Sequence, residues 1–151
     1  MATFRTATQN DLPSIVRLLA EDPLGASRET MIEPLPDAYL RSFEAIAAQP
    51  GNEIIVGDEG GAVIACLQLT MVPGLSRKGA TRAILEGVRV SSGRRGQGIG
   101  EAMVRYAIEK SRAAGCSLVQ LTTDKSRVDA HRFYENLGFV ASHVGMKLDL
   151  T

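Results

Sequence analysis

Between Arg94 and Glu101 the chain reads Arg-Arg-Gly-Gln-Gly-Ile-Gly-Glu, placing Gly96, Gly98 and Gly100 at alternate positions just ahead of a helical pattern. Glycines so spaced let the backbone turn without Cβ interference and approach a ligand closely. The opening N–H groups of a helix have no internal partner, and the macrodipole adds partial positive charge, so such a turn forms a cradle for anions. Arg94 and Arg95 add two planar guanidinium forks suited to phosphate oxygens. The plainer reading is a tight strand-to-helix turn with two solvated arginines. Two phosphate motifs are excluded directly. A Walker loop needs Lys and then Ser or Thr after its last glycine, where Glu101 and Ala102 stand. A dinucleotide fingerprint needs a third glycine where Glu101 falls, and an acidic ribose partner about 20 positions on.

The flanking elements alternate between strand and helix patterns, with no internal repeats or low-complexity tracts, which favours an α/β layer architecture. Thr3 to Ala7 reads as a strand. Leu12 to Ala20 reads as a helix capped by Asn10 or Asp11, with Pro13 in its first turn and Ile15, Leu18 and Leu19 as its apolar stripe. The proline-bearing stretch from Pro23 to Pro36 reads as a loop or broken helix, and Ala38 to Ala48 as a helix ended by Pro50-Gly51. Asn52 to Val56 and Ala62 to Thr70 form a hairpin pattern, and Val72 to Lys78 a flexible loop. Thr81 to Val90 is the strand that feeds the glycine turn. The spacing then predicts a helix over Ile99 to Ala114, a strand over Ser117 to Thr122, a helix over Val128 to Leu137, and a final strand pair, Phe139 to Ser142 with Met146 to Leu150.

Arg95-Gly96-Gln97-Gly98-Ile99-Gly100 resembles the Arg/Gln-x-x-Gly-x-Gly/Ala pyrophosphate loop of the GNAT superfamily of N-acetyltransferases, which use acetyl-coenzyme A. Downstream, Ala130-His131-Arg132-Phe133-Tyr134-Glu135-Asn136-Leu137-Gly138-Phe139 resembles the family's Ala-x-x-Phe-Tyr-x-x-x-Gly-Phe helix. Phe4 to Leu12, followed by Ile15 and Leu18-Leu19, resembles its opening strand and first helix. The resemblance spans nearly the whole chain, and residues 23 to 50 are the least constrained by it. It implies one α/β domain over residues 1–151, with a central mixed, mostly antiparallel twisted sheet of about six to seven strands flanked by about four helices.

The resemblance also implies direct transfer of an acetyl group from acetyl-coenzyme A to a primary amine in a ternary complex, with no metal. The backbone of Val88, Arg89 and Val90 would pair with the cofactor's extended arm by strand addition. The amides of Arg95, Gly96, Gln97, Gly98, Ile99 and Gly100 would hold the pyrophosphate, with Glu101 opening the helix. Tyr134 becomes the general acid for the departing thiolate, against the reading that it only packs with Phe133 and Phe139. Ala130, four residues before it, leaves room beneath the ring. Glu86 is the proton acceptor for an amine whose pKa lies near 10.4, its Ile-Leu-Glu-Gly-Val surroundings expected to desolvate it partly and raise its pKa. The other reading of Glu86 is an exposed carboxylate that binds a cationic substrate or pairs with Arg82. Arg127 occupies the position of a family Asn that contacts the cofactor arm, and an arginine there suits a phosphate or an acidic acceptor instead. His131 and His143 carry weaker signals, and Asp124-Lys125 reads as a solvated turn. A non-catalytic acyl-coenzyme A sensor would keep the cradle without needing Tyr134 or Glu86.

Acceptor choice in the family rests largely on the segment after the first helix, here acid-rich through Glu21, Asp22, Glu29, Glu33, Asp37 and Glu44. That charge suits a cationic amine, and the plainer reading, a solvated acidic surface, is the favoured one. At 151 residues, 44 per cent hydrophobic and 23 per cent charged, the chain has the composition of one folded domain. Its 17 basic and 17 acidic residues balance, which gives no electrostatic case for nucleic acid or an anionic membrane. Cys66 and Cys116 lack metal-ligand spacing and read as small core residues. Without a leader pattern or a membrane-length apolar run, the expectation is a cytoplasmic protein, with a homodimer compatible with the family.

Overall fold

The computed structural model describes residues 1–151. Five strands form one sheet in the order β1-β2-β3-β4-β5, with β1 (Thr3–Thr6), β2 (Asn52–Glu59), β3 (Ala62–Pro73) and β4 (Thr81–Val90) antiparallel and β5 (Leu118–Gln120) parallel to β4. The helices are α1 (Leu12–Ala20), α2 (Pro23–Arg28), α3 (Asp37–Ala48), α4 (Ser76–Gly79), α5 (Ile99–Ala113) and α6 (Val128–Asn136). The single-domain α/β expectation therefore holds, with five strands in place of six to seven. There are six helices in place of four, because α2 and α4 are short turns inside segments expected to be irregular.

Strand alternation divides the core between the two faces of the sheet. Ile55, Ala65, Leu67, Leu69, Ala83 and Leu85 point to one face and meet Met103, Val104 and Ala107 of α5, all nearly or fully buried. Val56 and Cys66 point to the other and meet Ile15 and Leu18 of α1. Burial pushes the Cys66 thiol up to about 12, with Arg89 pulling the other way, so its reading as an inert core residue holds. Both cysteines are free, and Cys116 is only partly buried.

Asp11 precedes α1 but does not cap it through its side chain. Its carboxylate accepts instead from Thr8 N–H at 2.7 Å and from both terminal nitrogens of Arg5, at 2.7 and 3.0 Å. Arg5 also reaches Asp58 at 3.0 Å, fastening the start of α1 to β1 and β2.

The final strand pair expected over 139–142 and 146–150 does not form. Residues 139–151 carry no strand, and 140–151 are all exposed. An alternating pattern specifies which face of a strand is apolar, but not that a pairing edge lies within the same chain.

Candidate active site

Gly87 sits at φ +59° within β4, opposite a shift in register between Cys66 and Gln68 of β3. A Cβ at Gly87 would also lie 3.4 Å from Leu19 of α1, so the bulge needs glycine. β4 pairs with β5 only from Arg82 to Ile84, and beyond that the two parallel strands have no further pairing. Ser91 N–H bonds Ile64 O at 2.8 Å, so by alternation the main-chain groups of Val90 and Val88 face away from β3, into the gap. Side chains already find these carbonyls: Arg95 Nε donates to Val90 O at 3.2 Å and Arg89 donates to Val88 O at 2.9 Å. This is an open sheet edge of the kind an extended ligand arm can join.

At the end of that edge lies the glycine turn. Gly96 and Gly98 have φ of +75° and +81°, and nothing lies within 4 Å of where a Cβ would stand on either. Gly98 is the N-cap of α5, and the first helical bond there runs from Ala102 N–H to Gly98 O at 3.0 Å. The N–H groups of Ile99, Gly100 and Glu101 thus have no carbonyl within the helix. Gly100 is held closer, its Cβ position 3.4 Å from Val90 and 3.5 Å from Phe133. Glu101 turns its side chain outward to Arg105 at 3.0 Å, which keeps the carboxylate occupied on the helix surface. The open space, the two left-handed glycines and the unpaired donors fit a pyrophosphate.

The two arginines expected at the rim divide. Arg95 is exposed and bonds the protein only through Nε, to Val90 O at 3.2 Å. Arg94 is engaged by Glu59 at 2.7 Å and donates to Gln97 Oε1 at 3.1 Å, so it braces the turn against the β2–β3 hairpin.

Tyr134 lies on α6 with its ring against Phe133, centroids 5.0 Å apart, and Phe139, 5.6 Å apart, both edge to face. The packing expected of it is therefore present, yet its hydroxyl bonds no protein group and is not enclosed. Burial raises its pKa above 10, while the charges of Arg89 and Arg127 pull it down. A group so placed stays protonated at neutral pH and can donate.

Glu86 differs from expectation. It is exposed on the α1 side of β4, so the partial burial read from its neighbours is not there. Beside it, Ile15, Leu19, Ile54, Leu67 and Gln68 line a small hollow of about 50 Å³. His131 bonds the Asp124 carbonyl at 3.1 Å, and Asp124 itself accepts from Ser126 in an exposed turn.

Sequence reasoning missed Asp22. Its side chain is 9% exposed, and it caps α2 by accepting from Gly25 N–H at 2.6 Å. The same carboxylate sits 2.6 Å from Arg89 Nε, whose N–H is not aimed at it, and 3.1 Å from Arg127, which donates to it. Burial, the largest influence, pushes the Asp22 carboxyl up. The Gly25 amide, Arg89 and Arg127 together outweigh it and hold the group below the usual carboxylate range. This contribution to stability is complete above the unfolded value near pH 3.9 and is lost as pH falls through the lower folded value. Asp22→Asn should lower stability at neutral pH by roughly 1.5–3 kcal/mol and flatten the acid limb of the unfolding profile. Urea melts from pH 2 to pH 7 that superimpose for both proteins would remove Asp22 from this role.

Across residues 13–139 the chain matches the model of the Acetyltransferase (GNAT) family. The chain belongs to this family. It is 31% identical to an aminoalkylphosphonate N-acetyltransferase of Salmonella typhimurium, over 93% of this chain and 86% of that one. It is 29% identical to a glucosamine 6-phosphate N-acetyltransferase of Trypanosoma brucei brucei, over 89% and 95%. A crystal structure described as a transcriptional regulator from Bacillus halodurans C-125 superposes with a TM-score of 0.97 at 49% identity, covering 99% of this chain and 100% of that one. As a GNAT acetyltransferase, the protein is an acyltransferase.

Proposed function

We propose that the protein acetylates a small primary amine that also carries an anionic group, by direct attack on acetyl-coenzyme A in a ternary complex. The observation that carries this reading is the continuity of one surface. The unpaired edge at Val88–Val90 leads into the Arg95–Glu101 cradle. The Tyr134 hydroxyl, free of protein partners, stands within the field of Arg89 and Arg127.

Bound acetyl-coenzyme A supplies the activated thioester. The main chain of Val88 and Val90, on either side of Arg89, orients the cofactor arm, while the amides of Gly96 to Glu101 and the Arg95 guanidinium bind its phosphates. An ammonium substrate must lose a proton before it attacks, and Glu86 accepts it directly or through water. Tyr134 donates to the thiolate as charge develops there. Two guanidinium groups against the single Asp22 carboxylate leave excess positive charge beside Tyr134, which supports an acceptor with a phosphate, phosphonate or carboxylate. The two enzymes of similar sequence whose names specify phosphate- and phosphonate-bearing amines support the same class.

The test is thiol release from acetyl-coenzyme A by the purified protein against amino sugar phosphates, aminoalkylphosphonates, amino acids, polyamines and peptide amines. Arg127→Ala should raise KM for an anionic amine by about tenfold and leave KM for a neutral amine and for acetyl-coenzyme A unchanged. A rise in the cofactor KM instead would make Arg127 a cofactor contact. The description of the Bacillus halodurans structure as a transcriptional regulator keeps a second reading open, an acyl-coenzyme A sensor. Tight cofactor binding without thiol release from any amine would favour it.

A further inference from the structure

The step in register at Gly87 decides which charges of β4 share a face. Glu86 pairs with Gln68 of β3 and Arg89 with Cys66, so three steps along β4 stand against two along β3. Residues directly opposite in an antiparallel pair point to one face, as do residues two apart on a strand. Cys66 points toward α1. Glu86 and Arg89 therefore do so as well, although strict alternation would put them on opposite faces. Two strand steps set them roughly 7 Å apart.

Neither charge is fully used within the protein. Glu86 is exposed and takes part in no ion pair. Arg89 stands beside Asp22 and gives Nη1 to the Val88 carbonyl, but its Nη2 bonds no protein group and is not enclosed. The hollow of about 50 Å³ lies on the same face, bounded by Glu86 and Gly87 on β4, Cys66 on β3, Ile54 on β2, and Ile15 with Leu19 on α1. Arg89 stands at its far end, close enough to the Cys66 thiol for its charge to oppose the effect of burial there. Apart from Glu86 and Gln68 the surrounding side chains are apolar, so water finds few partners and an alkyl group is the better occupant. A molecule of liquid water takes up about 30 Å³, and by that measure the space suits one or two carbon-sized groups.

We propose that the acceptor is a short zwitterion held across this face, with its ammonium at Glu86, its acid group at Arg89 and a small alkyl branch of the intervening carbon in the hollow. This rests on the anionic-amine reading above and narrows it in three respects. Charges roughly 7 Å apart or closer belong to an amine and an acid separated by about one to three carbons. The branch is no larger than ethyl. Three attachments around one carbon fix its handedness, so one enantiomer is acetylated. Leu19 sets the size limit, since its Cδ2 lies 3.4 Å from where a Cβ on Gly87 would stand and so closes the hollow against the bulge.

The test follows thiol release from acetyl-coenzyme A by the wild-type protein against two series. One is unbranched aminoalkyl acids of increasing length. The other is 1-aminoalkyl acids of both hands bearing hydrogen, methyl, ethyl, isopropyl or benzyl, each as carboxylate and as phosphonate. kcat/KM should fall by about tenfold or more beyond about three carbons, again from ethyl to benzyl, and between the two hands. Leu19→Ala should raise kcat/KM for the isopropyl compound relative to the methyl compound by about tenfold, and an unaltered ratio overturns Leu19 as the wall. Release that ignores spacer, branch or hand overturns this inference and leaves the anionic-amine reading standing. Release confined to neutral amines or polyamines, or absent with every amine, overturns both. Both series are read on the wild-type protein, so the result stands even if the variant fails to fold.

Discussion

Tyr134→Phe is expected to lower kcat by about 10²- to 10³-fold, the size of effect typical of losing a general acid. The dissociation constant for coenzyme A should change by less than about twofold, because the hydroxyl acts as charge develops on sulfur rather than in the ground state. The ring keeps its contacts with Phe133 and Phe139, so thermal stability should be nearly unaltered and the loss cannot be assigned to unfolding. Measurement requires conditions in which chemistry limits turnover, such as a single-turnover thiol assay. Its pH profile carries a second check. Burial raises the Tyr134 pKa and the two arginines lower it, with a net rise above 10, so the wild-type rate should show no loss of the acid below about pH 10. Its rise with pH should follow deprotonation of the ammonium, either free or bound beside Glu86. Equal single-turnover rates for the two proteins would remove Tyr134 from the chemistry and leave it as packing alone.

How far the site could be read in advance follows from how local its determinants are. The cradle is written within six residues: alternate glycines before a helical pattern require left-handed backbone and unpaired amides, and Gly96 and Gly98 adopt that backbone. The Asp22 cluster is not local. The stretch after Asp22 reads as a loop or broken helix, and Arg127 lies 105 positions away, so nothing nearby shows that this acidic residue is buried among arginines. Arg94 looks free in the sequence for the same reason, since its partner Glu59 lies on a distant hairpin. Glu86 fails differently. Its flanking residues are apolar, but along a strand adjacent side chains point to opposite faces, so the burial of Leu85 places Glu86 outward. The C-terminal alternation marks an apolar face without supplying a pairing edge, and no strand forms over residues 139–151.

Gly98→Val is expected to weaken coenzyme A binding by about 30-fold or more. Gly98 has φ +81°, where a β-branched residue is strained, and no protein atom lies within 4 Å of its Cβ position. The first added carbon therefore meets nothing in the free protein, and the steric penalty falls on a ligand drawn close to the turn. Strain alone should cost roughly 1–2 kcal/mol of stability, and that cost has to be separated from the loss of binding. Gly115 provides the control. It follows the far end of α5 at φ +88° with nothing within 4 Å, so Gly115→Val carries similar strain away from the cradle. Calorimetric titration should find coenzyme A affinity unchanged in Gly115→Val and sharply reduced in Gly98→Val, with comparable losses in Tm. Equal weakening in both would assign the effect to stability. Equal retention would move the pyrophosphate away from the amides of Ile99, Gly100 and Glu101, and with it the orientation of the thioester toward Tyr134.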